Sequence, residues 1–259
     1  MKRKEYMNCK ICQSTTEIVF TTNVLGKYKA KYCKCSSCGF LFVMNPDWLM
    51  EAYAQSITTS DTGLLARNIS LSRKVSVLID AFFSKNGKYL DYAGGYGVFT
   101  RLMRDVGFQF FHTDPYTKNI FSPEFEWDQS EKMSGITLFE CAEHLEYPMT
   151  EFEKIFAISK TVFISTVTLP EDIPSHEWEY YGFEHGQHIS FYSPLTLEYI
   201  ADKFKVSVVS VGNLHLFSSQ ALSRRKMKWL ISKTDRIPYI CARKTLFKKV
   251  EKKMRNKWK

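Results

Sequence analysis

Three clusters in this chain hold residues of the type and spacing that do chemistry. The first is cysteine: five of the seven cysteines fall in the first 38 residues. Cys9-Lys-Ile-Cys12 and Cys35-Ser-Ser-Cys38 are two CxxC pairs, separated by 22 residues, with Cys33 just before the second. Thiolates spaced this way in a tight turn can share one tetrahedral ion, and two such turns close the site. Cys9, Cys12, Cys35 and Cys38 are therefore the expected zinc ligands, with Cys33 a bystander. Four sulfur ligands leave no position for water, so the zinc would be structural.

The second cluster is Asp91-Tyr-Ala-Gly-Gly-Tyr-Gly97. Glycines after a strand let a ligand approach the backbone, and the following helix offers free N–H groups. The spacing is D-x-A-x-G-x-G rather than G-x-G-x-x-G. An acid ahead of the glycines disfavours phosphate and suits a cationic or amine-bearing ligand. Asp114 follows 23 residues after Asp91, where an acid can accept the hydroxyls of a ribose.

The third cluster runs from Trp178 to Ser193 and carries His185 and His188 among six aromatic residues. Aromatic faces with hydrogen-bonding groups on a loop suit a polar, sugar-like acceptor. Histidine is the default group to take a proton from a hydroxyl, or from a carbon beside a carbonyl. Glu184, His185 and His188 also admit a metal-binding reading, although Gly186 between them argues against the helix it would need.

These clusters need elements to hold them. Residues 18–20 and 27–32 alternate as a β-hairpin between the two cysteine pairs, giving a zinc ribbon over residues 1–45. Asn45-Pro-Asp-Trp-Leu49 reads as a turn into a short helix. Ser60-Asp-Thr-Gly63 precedes helical spacing from Leu64 to Phe83, so residues 46–87 form a linker or lid. From Lys88 the pattern becomes strand and helix in alternation: strands at 89–93, 107–114, 136–140 and 161–166, helices at 98–106 and 152–158. A helix at 196–204 and an edge strand at 206–211 follow. Short connections between them argue for a parallel, doubly wound α/β sheet over residues 88–223.

Composition sets the outer bounds. The 259 residues are 44% hydrophobic and 24% charged, which is globular rather than disordered. No apolar run reaches the length of a membrane span, and the basic N-terminus leads into no hydrophobic segment. The expectation is a cytoplasmic protein. The net charge of +9 is concentrated: 15 of the 36 basic residues, but only two of the 27 acids, lie in residues 224–259. The remainder is mildly acidic. Leu246, Phe247, Val250, Met254 and Trp258 fall on one face of a lysine-rich helical pattern within that tail. This fits an anionic membrane surface, or packing on the body or on a partner chain. Nucleic acid is disfavoured because no basic aromatic stripe accompanies the glycine turn.

The acid, the glycine turn and Asp114 together resemble class I S-adenosylmethionine-dependent methyltransferases, over roughly residues 85–215. The resemblance implies a Rossmann-like sheet and a bound S-adenosylmethionine. Asp91, Ala93, Gly94, Gly95 and Gly97 would line its methionine and ribose end, Asp114 would bind the ribose, and Pro115 and Tyr116 would flank the adenine. Ala93 stands where the family has its first glycine. Phe139-Glu-Cys-Ala-Glu-His-Leu-Glu-Tyr-Pro148 resembles the F-E-V-x-E-H-x-x-x-P segment of small-molecule methyltransferases. That likeness puts Glu140 near the methionine moiety, with Glu143 and His144 orienting it or the acceptor.

Gln187-His-Ile-Ser-Phe-Tyr-Ser193 resembles a segment of bacterial sugar methyltransferases whose nucleotide-sugar C-methylating members also begin with a cysteine-rich module. In them the equivalent of His188 is implicated as the base. Gln187 replaces their glutamate and His185 their tyrosine, which favours methylation of oxygen. The resemblance implies a saccharide or nucleotide-linked acceptor in surface polysaccharide (capsule or lipopolysaccharide) synthesis. Methylation of a phosphoramidate-type ornament and C-methylation of a keto-sugar are the alternatives within the class. A non-enzymatic zinc-ribbon binding module and an RNA methyltransferase are the alternatives outside it.

Overall fold

The computed structural model describes residues 7–54 and 62–234. The apolar stripe at 246–258 and the Ser60-Asp61 start signal lie outside the described residues. The chain divides into two compact units, neither continuous in sequence. One is Met1–Thr58 with Leu138–Ala221, the other Thr59–Thr137 with Leu222–Lys259.

The first unit begins with an antiparallel hairpin, β1 (Thr16–Val24) and β2 (Tyr28–Cys35). Leu25 and Gly26 turn it with φ of 53° and 70°, the left-handed conformation tight hairpins need. Strand β3 (Leu41–Met44) pairs antiparallel with β2. A short helix α1 (Leu49–Ala52) follows. The fourth strand of this sheet, β8 (Ser190–Phe191), comes from far along the chain, pairing Leu41 with Phe191 and Phe42 with Ser190. A core of Tyr32, Leu41, Val43, Trp48, Tyr181, Ile189 and Phe191 seals the arrangement. Phe20 stacks on Tyr32 at 4.4 Å, and Tyr181 on Phe183 at 5.0 Å.

The second unit contains helix α2 (Leu64–Phe82), which buries Leu71, Val75, Leu78 and Ile79 at helical spacing. It also contains β4 (Lys88–Tyr92), α3 (Val98–Asp105) and β5 (Gln109–Thr113). Strand β6 (Gly135–Phe139) follows, and the division between the units falls within it. Helix α6 (Arg224–Thr234), whose Met227 is buried, packs on α2, with the Lys226 ammonium over the Phe82 ring.

The first unit resumes with α4 (Pro148–Ile158), β7 (Val162–Ser165), α5 (Pro194–Lys203), β9 (Ser207–Val211) and β10 (Leu214–Ser218). The six-stranded sheet has the order β5-β4-β6-β7-β10-β9. Strand β4 runs parallel to β5 and to β6. The parallel sheet expected from the sequence holds at β5, β4 and β6 and fails at β10. Strand β10 pairs antiparallel with both β7 and β9, so the sheet is mixed. The cause is the two-residue turn Gly212-Asn213, with Gly212 at φ 58°, which folds β9 back on β10 as a hairpin.

Candidate active site

After β4 the chain continues to β5 on one side, then returns to place β6 on the other. The carboxyl end of β4 is thus a topological switch point, where open α/β sheets bind ligands. The acid–glycine turn sits there. Ala93 and Gly95 both have φ 55°, and Gly97 has φ 82°. Nothing lies within 4 Å of a Cβ built on Gly95, so that face of the turn is open. Gly97 is required for close approach, because a Cβ there would collide with the Asn119 amide oxygen. Helix α3 starts on Gly97 with no side-chain cap, leaving its first N–H groups without a side-chain acceptor.

Asp114 closes this turn. Its Oδ2 accepts the Gly95 N–H at 2.9 Å, and its Oδ1 accepts from the Tyr116 and Thr117 amides, both at 2.8 Å. A carboxylate offers about four lone-pair positions. The one left is on Oδ2, beside the open face of Gly95. Tyr116 is 93% exposed, so its ring is free to cover a ligand. Asp91 lies beneath the turn and is buried. Thr100 and Thr137 hydroxyls donate to its two oxygens at 3.0 and 2.9 Å. Burial pushes its carboxyl up to about 6, against the pull of those hydroxyls and of His112.

Three supports of the turn were not singled out in the sequence. His112 is buried and donates from Nε2 to the Gly95 carbonyl at 2.9 Å, while its Nδ1 faces Glu126 at 3.2 Å. Asn119 donates to Glu126 and to the Ser122 carbonyl, both at 2.8 Å. The Ser122 hydroxyl donates to the Gly97 carbonyl at 3.0 Å. Their spacing carries no motif, and only chain folding brings them under the glycines.

In the other unit the four expected cysteines converge. Cys9 and Cys38 sulfurs are 3.5 Å apart and Cys12 and Cys35 sulfurs 3.4 Å apart, with all four within 4.8 Å of one another. Tetrahedral zinc with bonds of about 2.3 Å sets sulfurs about 3.8 Å apart, so the cluster fits such an ion. Cys33 is buried and outside the cluster. The two turns repeat one another. Gln13 and Gly39, each just after the second cysteine, have φ 63° and 70° and donate to the Cys9 and Cys35 carbonyls, both at 3.0 Å. The Cys38 carbonyl accepts from Thr196 at 2.7 Å and Ser193 at 3.3 Å, the two residues that form the capping box of α5.

The same unit gathers Glu143, His144 and His188, one ligand atom of each lying within 4.8 Å of the others. His188 donates from Nδ1 to the Tyr180 carbonyl at 2.6 Å, which leaves the lone pair on Nε2. Burial holds its pKa down to about 4, so the ring is neutral at pH 7. Burial, with His188 and His185 beside it, holds His144 down to about 3. Burial and the charge of Glu140 push Glu143 up to about 8. His185 accepts the Gln187 N–H on Nδ1 at 3.1 Å, so its neutral ring carries the proton on Nε2. Glu184 is exposed. Glu140 has φ 48° and accepts the Ser165 hydroxyl at 2.7 Å.

The aromatic residues of segment 178–193 divide in two. Tyr181, Phe191 and Tyr192 are buried in the unit's interior and are not available to an acceptor. This corrects the expectation that the block as a whole faces a ligand. The segment around β8 is covered on both faces, since Ile189, Ser190, Phe191 and Tyr192 are all buried. Tyr180 keeps a polar role: its hydroxyl bonds Thr166 at 2.9 Å and accepts the Val167 N–H at 3.0 Å.

A parallel-centred α/β sheet with an acid–glycine turn at its switch point defines a Rossmann-like nucleotide-binding class. Within that class, the methyltransferase-domain family matches residues 66–211, more than half of the chain, and the chain belongs to that family. No curated protein matches the sequence. Among solved structures, the chain is similar to a methyltransferase of calicheamicin biosynthesis with S-adenosylhomocysteine bound. That match has 14% identity, 60% of this chain, 53% of that chain and a TM-score of 0.43. The chain thus spans about half of that protein. It is also similar to magnesium protoporphyrin IX methyltransferase from Synechocystis PCC 6803 with S-adenosylmethionine bound, at 11% identity, 67% and 90% coverage and a TM-score of 0.41. A Thermotoga maritima methyltransferase, described as a possible histamine N-methyltransferase, matches at 11% identity, 68% and 97% coverage and a TM-score of 0.44. Among the described residues no helix is long and apolar enough to cross a membrane.

Proposed function

We propose that this chain transfers the methyl group of S-adenosylmethionine to an oxygen of a saccharide, or of a nucleotide-linked saccharide precursor, in surface polysaccharide synthesis. The observation that carries the donor is the turn at the end of β4. Asp114 is locked onto Gly95 with one lone pair to spare, which suits a ribose hydroxyl, beside glycine backbone open to a ligand. The acceptor class rests on the likeness of residues 187–193 to sugar methyltransferases. The four cysteines hold a structural zinc in this reading. The protein is cytoplasmic, and its basic residues 224–259 make a peripheral contact with an anionic inner-membrane surface.

Methyl transfer is an in-line displacement. The acceptor oxygen attacks the methyl carbon, the carbon–sulfur bond breaks, and its electron pair stays on sulfur. Much of the acceleration comes from holding donor and acceptor in a near-attack arrangement. A neutral alcohol must also lose its proton. The Nε2 lone pair of His188, held neutral and oriented by the Tyr180 carbonyl, is the group in this chain suited to promote that loss.

The test is S-adenosylhomocysteine release over a panel of nucleotide sugars, nucleotide phosphoramidates and short glycans, with His188→Ala in parallel. Turnover on a saccharide class, lost in His188→Ala, is the expected result. Turnover that survives in His188→Ala removes His188 from the chemistry. Turnover confined to phosphoramidates overturns the acceptor class.

A further inference from the structure

Glu143 poses a problem that the cysteine site and the donor turn do not address. Its side chain is 1% exposed, and neither carboxylate oxygen takes a hydrogen bond among the described residues. The Tyr180 and Thr166 hydroxyls lie beside it and favour its charge, and because they bond each other only one hydroxyl proton of the pair is left to reach the carboxylate. A buried carboxylate is normally paired or bound to a cation. What lies beside it is a pair of imidazoles. His144 and His188 have ring centroids 5.0 Å apart, and each offers a nitrogen within 4.8 Å of the carboxylate.

Both rings are anchored from behind. His188 is fixed through Nδ1 by the Tyr180 carbonyl, so Nε2 is the nitrogen left to coordinate. His144 Nδ1 meets the Tyr53 hydroxyl at 3.1 Å. Metal-binding histidines are oriented in this way by an outer partner. The two donor segments are also clamped together. Ile189 N–H donates to the Glu143 carbonyl at 2.9 Å, Ser190 Oγ to the Leu145 carbonyl at 2.6 Å, and Tyr192 Oη to the Ala142 carbonyl at 2.9 Å. The donors therefore sit on a fixed frame.

We propose that Glu143, His144 and His188 bind a divalent first-row transition-metal cation, a second metal site distinct from the four cysteines. Two imidazoles and one carboxylate suit zinc, iron, cobalt or manganese. Three protein ligands leave coordination positions open, as in metal sites that act on a substrate rather than staple a fold. Its role rests on the methyltransferase reading. Held by these residues, the cation would supply Lewis acidity that eases loss of a proton from an acceptor hydroxyl to solvent. His188 would then assist deprotonation as one of the ligands that hold it.

The experiment measures zinc bound per full-length chain by equilibrium dialysis and elemental analysis, for wild type, Glu143→Gln and His144→Gln. S-adenosylhomocysteine binding is measured on the same samples. Two zinc ions per wild-type chain and one in each variant is the expected result. Cobalt-loaded Glu143→Gln should keep the thiolate-to-cobalt absorption of the cysteine site, which also shows that the unit is folded. One ion in wild type, or two retained in Glu143→Gln, overturns the site. If the wild type binds two ions but no S-adenosylhomocysteine, the metal site stands and the methyltransferase reading falls. If it binds the nucleoside with a single ion, the reverse holds.

Discussion

The cysteine cluster and the Glu143–His144–His188 cluster lie in one compact unit, yet they are assembled in opposite ways. Each cysteine pair comes from one tight turn, and the turns repeat each other down to the left-handed residue after the second cysteine. The ligand geometry is local, and the surrounding fold hangs from it: the capping box of α5 grips the Cys38 carbonyl. The histidine cluster instead joins the loop after β6 to the segment entering β8, and hydrogen bonds from the Ile189 amide and the Ser190 and Tyr192 hydroxyls to backbone carbonyls set its geometry. A site that organises the fold fails by unfolding. A site organised by the fold fails by losing chemistry.

Four perturbations break or sharpen this contrast. The largest effect is expected from Cys35→Ser, or from a strong chelator on the wild type. Structural zinc contributes on the order of 10 kcal/mol to small cysteine modules. Thermal denaturation should show the cooperative transition lost or shifted far down. An unchanged transition with metal removed would end the structural-zinc reading.

His188→Ala comes next. Whether His188 takes the proton itself or holds the cation that eases its loss, removing this assistance costs on the order of 10²–10⁴-fold in rate. Turnover should fall in that range while the melting temperature stays near wild type. A large loss of stability would place His188 among the fold-organising residues instead.

Gly39→Ala sharpens the comparison within the cysteine site. The residue has φ 70°, and a Cβ would strike the Ser193 hydroxyl. Left-handed strain of about 1–2 kcal/mol, with that collision added, predicts a clear fall in the denaturation midpoint. The smallest effect belongs to Gln13→Gly at the matching position, φ 63°. Relief of strain there is offset by unfolded-chain entropy, for a net gain of about 1 kcal/mol or less. A Gln13→Gly loss as large as that of Gly39→Ala would show that the turns are not equivalent.

The same contrast explains what the sequence made legible. Cys9, Cys12, Cys35 and Cys38, and the turn from Asp91 to Gly97 with Asp114, are local patterns whose spacing states their geometry. The hairpin β1–β2 and the helices α2, α3 and α5 followed from alternation and helical spacing. Strand β10 was missed although Gly212-Asn213 is a two-residue hairpin signal, because the short β9 before it read as a terminal edge. Phe191 and Tyr192 were legible as aromatic but not as core, since the chain that covers both faces of this segment comes from distant parts of the sequence. His112 and Asn119 support the glycine turn from beyond β4, and no spacing rule reaches them. Glu143 was legible as an acid beside His144. Its burial with neither oxygen engaged in a hydrogen bond is a tertiary fact.

The most direct test of the methyltransferase account is calorimetric titration of the full-length chain with S-adenosylhomocysteine, beside Gly97→Ala. The account predicts one site per chain in the wild type. In Gly97→Ala the collision with Asn119 distorts the turn, and affinity should weaken tenfold or more, for a cost of about 1.4 kcal/mol or above. No binding by the wild type, or equal binding by Gly97→Ala, would contradict the placement of the donor at the end of β4.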